Sequence, residues 1–199
     1  PIAIRYLAKK YNVEIEETEQ SDAEKEKLNE RESMFLLAEH ANTYFKQTLW
    51  EASEGKAIGL SYYKERGFTD ETIKKFDLGY SPQEKDAFTK TALKNGFQLE
   101  FLEKTGLSIV NESYQVDRFR GRVMFPIKSL SGRVVGFGGR ILGDNKKTAK
   151  YLNSPESEIY HKSKVLYGIY EAKQSIAKED VCYLVEGYTD VIQMVQSGV

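Results

Sequence analysis

Met34, Leu37, Ala38, Ala41, Phe45 and Leu49 recur three and four positions apart. That spacing predicts one long helix with a single buried stripe. Ser21-Asp22-Ala23-Glu24 just upstream reads as a capping box, in which Ser21 and Glu24 satisfy each other's amides. Thr69 is placed to cap a short helix through Lys75, with Phe68 as the apolar residue before the cap. Asn95-Gly96 and Thr105-Gly106 end two further helices with residues that tolerate a left-handed cap. Residues 21 to 106 are therefore mostly helical.

The period then changes. Val123 to Ile127 predicts a strand, and Pro126, which lacks an amide donor, points to an edge or a strand end. Ser131-Gly132 makes a hairpin turn, and Arg133 to Leu142 returns as a second strand. Gly136, Gly138 and Gly139 are expected to let that strand bend or bulge. A polar loop from residue 150 leads to a helix near Val165 to Ala177. Val181 to Val185 is an unbroken apolar run of the parallel-sheet kind, followed by Glu186-Gly187 and a helix over Thr189 to Gln196. Before Ser21 the pattern weakens to a short Ile4/Leu7/Ala8/Tyr11 helix and an acidic stretch, which reads as a tether. The chain opens on Pro1 without a Met and stops where another strand would be due, so it is expected to be a piece of a longer protein.

With 199 residues, 40% hydrophobic and 30% charged, the chain can build a core and is not globally disordered. No apolar run is long enough to span a membrane, and no secretory signal opens the chain. Cys182 is the only cysteine, which excludes an internal disulfide and a Cys-based zinc site. A reducing cytosol and core packing of Cys182 are expected. The net charge of -1 gives no hint of a polyanion partner. Its distribution does. Residues 14 to 32 hold 9 acidic against 3 basic side chains, and residues 117 to 150 hold 9 basic against 2 acidic. An acidic leader and a basic middle are hidden in a near-zero total.

Three places carry candidate chemistry. Arg118, Arg120 and Arg122 stand at i, i+2 and i+4, and on an extended backbone all three point to one face. Guanidinium forks suit phosphate oxygens, although a solvated strand face fits the same spacing equally well. Lys150, Tyr151, Asn153 and Lys162 form a second cluster, with a mobile charge, a stacking ring and hydrogen-bonding groups. An ordinary polar loop would look the same. Glu186 sits at the carboxyl end of the expected buried strand, where open α/β sheets place their sites, and Asp190 falls in the next helical turn. Such carboxylates are hard ligands for Mg²⁺ or Mn²⁺, or proton acceptors, but Asp190 could equally serve the helix dipole. Gly136-Phe137-Gly138-Gly139 lies in a strand pattern and is no dinucleotide loop. His40 and His161 are isolated, so no catalytic histidine is assigned.

Together these motifs resemble the bacterial replicative DNA primases of the DnaG type, over about Tyr44 to Val199. The resemblance rests on Tyr62-Tyr63-Lys64-Glu65-Arg66-Gly67-Phe68, Phe76-Asp77-Leu78-Gly79-Tyr80-Ser81-Pro82, Asp117 to Ile127, Gly132 to Arg140, Lys150 to Glu156, Leu166-Tyr167-Gly168 and Val185-Glu186-Gly187-Tyr188-Thr189-Asp190-Val191, in that order. It departs from the family at Thr189, where Met is common.

The resemblance implies an α+β fold: a primase-core N-terminal subdomain over 21–176, then the first strand-helix unit of a Toprim α/β fold over 177–199. Residues 1–20 would be the linker or tail of a zinc-binding domain. Arg118, Arg120, Arg122, Arg140, Lys150, Tyr151, Asn153 and Lys162 would line a nucleic-acid ridge. Glu186 and Asp190 would be catalytic and metal-binding, as part of an incomplete Mg²⁺ or Mn²⁺ site. Zinc would belong only to the separate N-terminal domain. The implied partners are single-stranded DNA template, RNA–DNA hybrid, ribonucleoside triphosphates and, through a further C-terminal domain, the replicative helicase. A cytoplasmic, replisome-associated monomer is expected. The implied activity is ribonucleotidyl transfer, with this piece inactive by itself. The alternatives are another Toprim enzyme (topoisomerase or nuclease) and a primase relative that only binds nucleic acid.

Overall fold

The computed structural model describes residues 7–8, 10–11, 21–143 and 149–199. The chain divides into two compact units, Pro1–Glu30 and Arg31–Val199. Leu7, Ala8, Lys10 and Tyr11 are helical. Ile4, the acidic run Glu14 to Glu19, Asp144, Lys146 and Lys147 lie outside the described residues.

Helix α1 covers Asp22–Glu51 and starts at the expected capping box. The Ser21 amide donates to Glu24 Oε2 at 2.9 Å, and the Glu24 amide returns to Ser21 Oγ at 3.3 Å. A π-helix over Gly55–Leu60 leads into α2 (Ser61–Glu65) and α3 (Asp70–Lys75). Thr69 caps α3 as expected, accepting from the Thr72 amide. Strand β1 (Gly79–Ser81) precedes α4 (Ala87–Lys94) and α5 (Leu99–Lys104). Gly96 and Gly106 take left-handed conformations just past the ends of those helices. The strands that follow are β2 (Ser108–Asn111), β3 (Tyr114–Asp117), β4 (Arg122–Lys128), β5 (Val134–Ile141) and β6 (Tyr151–Asn153). Helices α6 (Ile169–Glu179) and α7 (Tyr188–Gln196) close the order. Left-handed backbone at Gly168 and Asp180 bounds α6, and shifts it a few residues past its expected span.

The fold is α+β. An antiparallel sheet runs β1-β4-β5-β6, and β2-β3 forms a separate hairpin. Side chains of β4 alternate between two cores. Met124, with Phe137 of β5, packs on Met34, Leu37, Ala41, Phe45, Phe88 and Leu102 of α1, α4 and α5. Val123 and Phe125 point to the other face and pack on Tyr62, Tyr63, Ile73 and Ile192 of α2, α3 and α7. The entire burial of β4 follows, since each face of the strand meets a layer of helices. At the hairpin end, Arg133 holds Glu32 of α1 through two bonds of 2.9 and 2.7 Å.

Three sequence expectations change and a fourth holds in part. Pro126 sits in an interior strand, not at an edge. It is tolerated because β1 pairs only with Arg122 to Met124, so among the described residues no strand continues that ladder opposite Pro126. The β5 glycines keep part of their expected role. Ile127 pairs with Gly136 and Lys128 with Val134, so β5 carries the extra residue Val135 beside Gly136, while Gly138 and Gly139 make room for the rings of Tyr188 and Phe119. Val181 to Val185 is not a strand. No strand among the described residues pairs with it, and a strand of a parallel sheet needs ladder partners. Tyr183 and Leu184 are accordingly 64% and 79% exposed, and line a groove with α6 and α7. Cys182 lies in the same segment and is exposed, not packed in a core.

Asp117 shows how the β2-β3 hairpin is fastened. Its carboxylate is buried and accepts from the Phe88 and Thr89 amides at 2.8 and 2.9 Å, at the first turn of α4. It also accepts the Thr89 hydroxyl at 2.5 Å. Burial pushes the Asp117 carboxyl up, against those three donors. Asp117→Ala should therefore cost about 2–3 kcal/mol, because it strands buried donors. Urea denaturation would read this as a lower midpoint at unchanged slope.

Candidate nucleic-acid interface

The cross-strand register builds the site. In an antiparallel sheet, directly paired residues project to the same face. Val123 pairs with Arg140, and Arg140 with Tyr151. One row along, Phe125 pairs with Gly138, and Gly138 with Asn153. Arg140 and Gly138 are two apart on β5, so the two rows lie side by side on one face.

Arg140 is the centre of the first row. Its guanidinium lies 4.6 Å from the Tyr62 ring centroid and 5.9 Å from that of Tyr151. Cation–π contact holds the planar group without neutralising it. Arg140 Nε is buried with no hydrogen-bond partner, and the same holds for Arg118 Nε. Among the described residues, no carboxylate pairs with Arg118, Arg120 or Arg140. Tyr151 and Lys150 are exposed beside Arg140. Burial pushes the Tyr62 hydroxyl up, while Arg140 and Arg66 pull it back.

The second row receives α7. The Tyr188 ring stacks on Phe125 with centroids 5.3 Å apart and planes 14° apart. Its hydroxyl donates to Asn153 Oδ1 at 2.8 Å. Burial raises the Tyr188 hydroxyl well above its ordinary value, so it stays a proton donor.

The arginine triplet does not share one face. Residues 118 to 121 form a turn, and Gly121 takes φ 64°, so alternation begins only at Arg122. Arg120 is exposed and Arg118 half-buried. Arg122 faces the side of the sheet opposite to Arg140 and is only 3% exposed. Its guanidinium donates to the carbonyls of Gly139, Ala149 and Lys150 at 3.1–3.3 Å. Burial lowers its pKa. Arg122 thus ties the 149–150 segment to the sheet from beneath, and does not present its charge to a ligand. Lys162 is exposed on a short 3₁₀ turn, where its amide donates to Glu156 Oε1. His161 is not isolated, since its Nδ1 lies 3.2 Å from Glu156 Oε2.

Glu186 is exposed in the turn before α7. Asp190 lies in the first turn of α7, and its Oδ2 accepts the Gly187 amide at 3.2 Å. Asp190 therefore does cap the helix, with one oxygen left over. Among the described residues, no three His, Cys, Asp or Glu side chains gather as a metal site. The donor chemistry of Glu186 and Asp190 fits part of a Mg²⁺ or Mn²⁺ shell and no more. No helix of the described residues is long and apolar enough to cross a membrane.

Tyr62, Tyr188 and Gly138 escaped the residue-by-residue reading. Tyr62 stands about eighty residues from Arg140, and only the register of β4, β5 and β6 reveals the rows. The one signal available was Tyr188 next to Glu186-Gly187.

Comparison with known proteins shows the family. The model of the DNA primase catalytic core, N-terminal domain, matches residues 44–173. The DNA primase of Halalkalibacterium halodurans is 42% identical over 199 residues, 99% of this chain and 32% of that protein. The chain spans about a third of the length of the curated relatives it matches. The RNA polymerase domain of Mycobacterium tuberculosis primase DnaG, in complex with a double-stranded DNA oligomer with a 6-nucleotide overhang, superposes with a TM-score of 0.79 at 39% identity. That match covers 84% of this chain and 52% of the other. A DnaG primase catalytic domain bound to ssDNA gives a TM-score of 0.74 at 38% identity, over 86% of this chain and 54% of the other. The family match, the relatives and the superpositions converge: the chain belongs to the DNA primase catalytic core family, through its N-terminal domain.

Proposed function

We propose that this chain is the template- and primer-holding part of a DNA primase, whose whole protein makes RNA primers on single-stranded DNA by ribonucleotidyl transfer. The observation that carries this reading is Arg140, a guanidinium beside two tyrosine rings with no carboxylate paired to it among the described residues. A half-buried, unneutralised cation next to an exposed ring suits a phosphate with a base stacked alongside. Arg118, Arg120, Lys150 and Lys162 extend the charge, and related catalytic domains have been solved with single- and double-stranded DNA. Arg122 supports this surface from behind.

In primer synthesis a 3′-hydroxyl attacks the α-phosphate of an incoming ribonucleotide, and pyrophosphate leaves. The ridge binds and aligns the strands through their backbone, which is sequence-tolerant. Glu186 and Asp190 would hold Mg²⁺ or Mn²⁺ together with further ligands. The metal supplies hydroxyl activation and neutralisation of the leaving charge. Two carboxylates do not complete such a site, so the chain by itself binds nucleic acid weakly and does not polymerise. The same reading places the protein in the bacterial cytoplasm as a monomer, engaging the replicative helicase through another part of the whole protein.

A fluorescence-anisotropy titration with labelled single-stranded DNA tests this. The logarithm of affinity should fall linearly with the logarithm of salt, with a slope of about −0.7 per phosphate contact. A flat, salt-independent response would show the arginines to be a solvated face.

A further inference from the structure

We infer that Tyr188 is a positioning residue, which sets the acidic turn Glu186–Asp190 at a defined place beside the nucleic-acid ridge. This rests on the reading of that turn as part of a metal-holding site.

Three strands contribute one residue each to a slot. Phe125 of β4, Gly138 of β5 and Asn153 of β6 are successive cross-strand partners. Neighbouring strands lie about 4.8 Å apart, so a tyrosine laid along the row reaches from the first strand to the third. Tyr188 does so. Its ring stacks on Phe125, passes over Gly138 and ends with its hydroxyl on Asn153 Oδ1. The slot exists because residue 138 is glycine. A Cβ there would stand 2.5 Å from Tyr188 Cε2 and 2.7 Å from Cζ. The Tyr167 ring closes the side of the slot, edge-on at 4.6 Å.

The other end of α7 is held separately. Gln196 accepts from the Thr69 amide at 2.9 Å and donates to the Gly67 carbonyl at 2.8 Å. Ile192, between the two ends, is fully buried. Tyr188 is therefore the contact at the end that matters. It follows Gly187 directly, and Gly187 joins Glu186 to the Asp190 cap. Asn153, one residue along β6 from Leu152 and two from Tyr151, links this slot to the row of Arg140. The acids and the ridge are registered to each other by the sheet itself. A loose turn would leave the carboxylates present but displaced, which is costly for positioned catalysis.

The test has two arms. In this chain, amide hydrogen exchange is followed over residues 186–191 in Tyr188→Phe, Asn153→Ala and Asn153→Asp. Tyr188→Phe keeps the ring and the packing, so it should fold. Tyr188→Phe and Asn153→Ala should each speed exchange there about tenfold, with β4 and β5 unchanged. Asn153→Asp, which keeps an acceptor, should restore protection. In the full-length protein, Tyr188→Phe should raise the magnesium concentration for half-maximal ribonucleotide incorporation several-fold, with single-strand affinity unchanged. Wild-type exchange in Tyr188→Phe, or an unchanged magnesium requirement, would overturn the inference. So would an equal loss of DNA affinity, which would make Tyr188 part of the ridge. A wild-type protein without magnesium-dependent incorporation would sink the polymerase reading alone, and leave the exchange result standing.

Discussion

Reversing the charge at both Arg120 and Arg140 is expected to lower single-strand affinity by about ten- to a hundredfold at low salt and to flatten its salt dependence by about 1.4 in slope. The slope is the more diagnostic number. Each lost phosphate contact removes about 0.7, so two contacts remove twice that, whatever the absolute affinity. Arg140 is expected to give the larger share. Its guanidinium is already oriented by Tyr62, so it loses little freedom on binding, whereas Arg120 is exposed on a turn. Lys94→Glu is the control. It changes the net charge by the same sign on the exposed end of α4 and should leave the slope as it is. Equal titrations for the double variant and the wild type would place the nucleic-acid surface elsewhere.

Replacing Lys128 by alanine is expected to cost about 3–5 kcal/mol of stability, because it leaves the buried Glu171 carboxylate without its cation and Asp77 with Lys46 alone. Lys128 Nζ lies 2.9 Å from Asp77 Oδ2 and 2.9 Å from Glu171 Oε1. The side chains of Lys128 and Glu171 are 9% and 6% exposed. Lys46 holds the other Asp77 oxygen at 2.8 Å. The network joins α1, the end of α3, β4 and α6. Lys128→Met combined with Asp77→Asn and Glu171→Leu should recover most of the loss, since the one charge left, Lys46, is exposed enough to be solvated. Asparagine suits position 77, where φ is 52°.

The pH dependence has two ends. Burial acts to raise the Asp77 carboxyl, but Lys128 and Lys46 outweigh it and hold the group below its usual range. That contribution is present above about pH 3.9 and is lost as pH falls through the folded-state value. Burial acts to lower the Lys128 ammonium, but Asp77 and Glu171 outweigh it and hold it above its usual range. That contribution is present below about pH 10.4 and is lost as pH rises through the folded-state value. The stability gap between wild type and Lys128→Ala should therefore narrow in acid. A gap that is constant down to pH 3 would assign the loss to packing around Tyr170, whose ring also faces Lys128.

Local signals carried much of this fold. The stripe from Met34 to Leu49, the Ser21 and Thr69 caps, the left-handed glycines and the Ser131-Gly132 turn all lie where the sequence places them. Each is settled by neighbours within about four residues, so the sequence alone displays it. The family was legible for a similar reason: its motifs are contiguous. The Arg118-Arg120-Arg122 run misled because alternation holds only along an unbroken strand, and Gly121 breaks it. Val181 to Val185 misled because hydrophobicity states that a segment is suited to burial, while pairing needs a partner strand in reach.

By itself, then, the sequence determined most of the helices, the turns, the acidic leader and basic middle, and which residue types could meet phosphate or metal. Only the tertiary structure decided which of those residues meet. It turned Arg122 inward, left Arg140 beside two rings, and laid Tyr188 across Phe125, Gly138 and Asn153. The physical reason is that cross-strand register and the covering of each sheet face depend on contacts from 11 positions apart, as for Arg140 and Tyr151, to 129, as for Gly67 and Gln196. No local pattern encodes those contacts, and a shift of one residue would send each of these side chains to the other face.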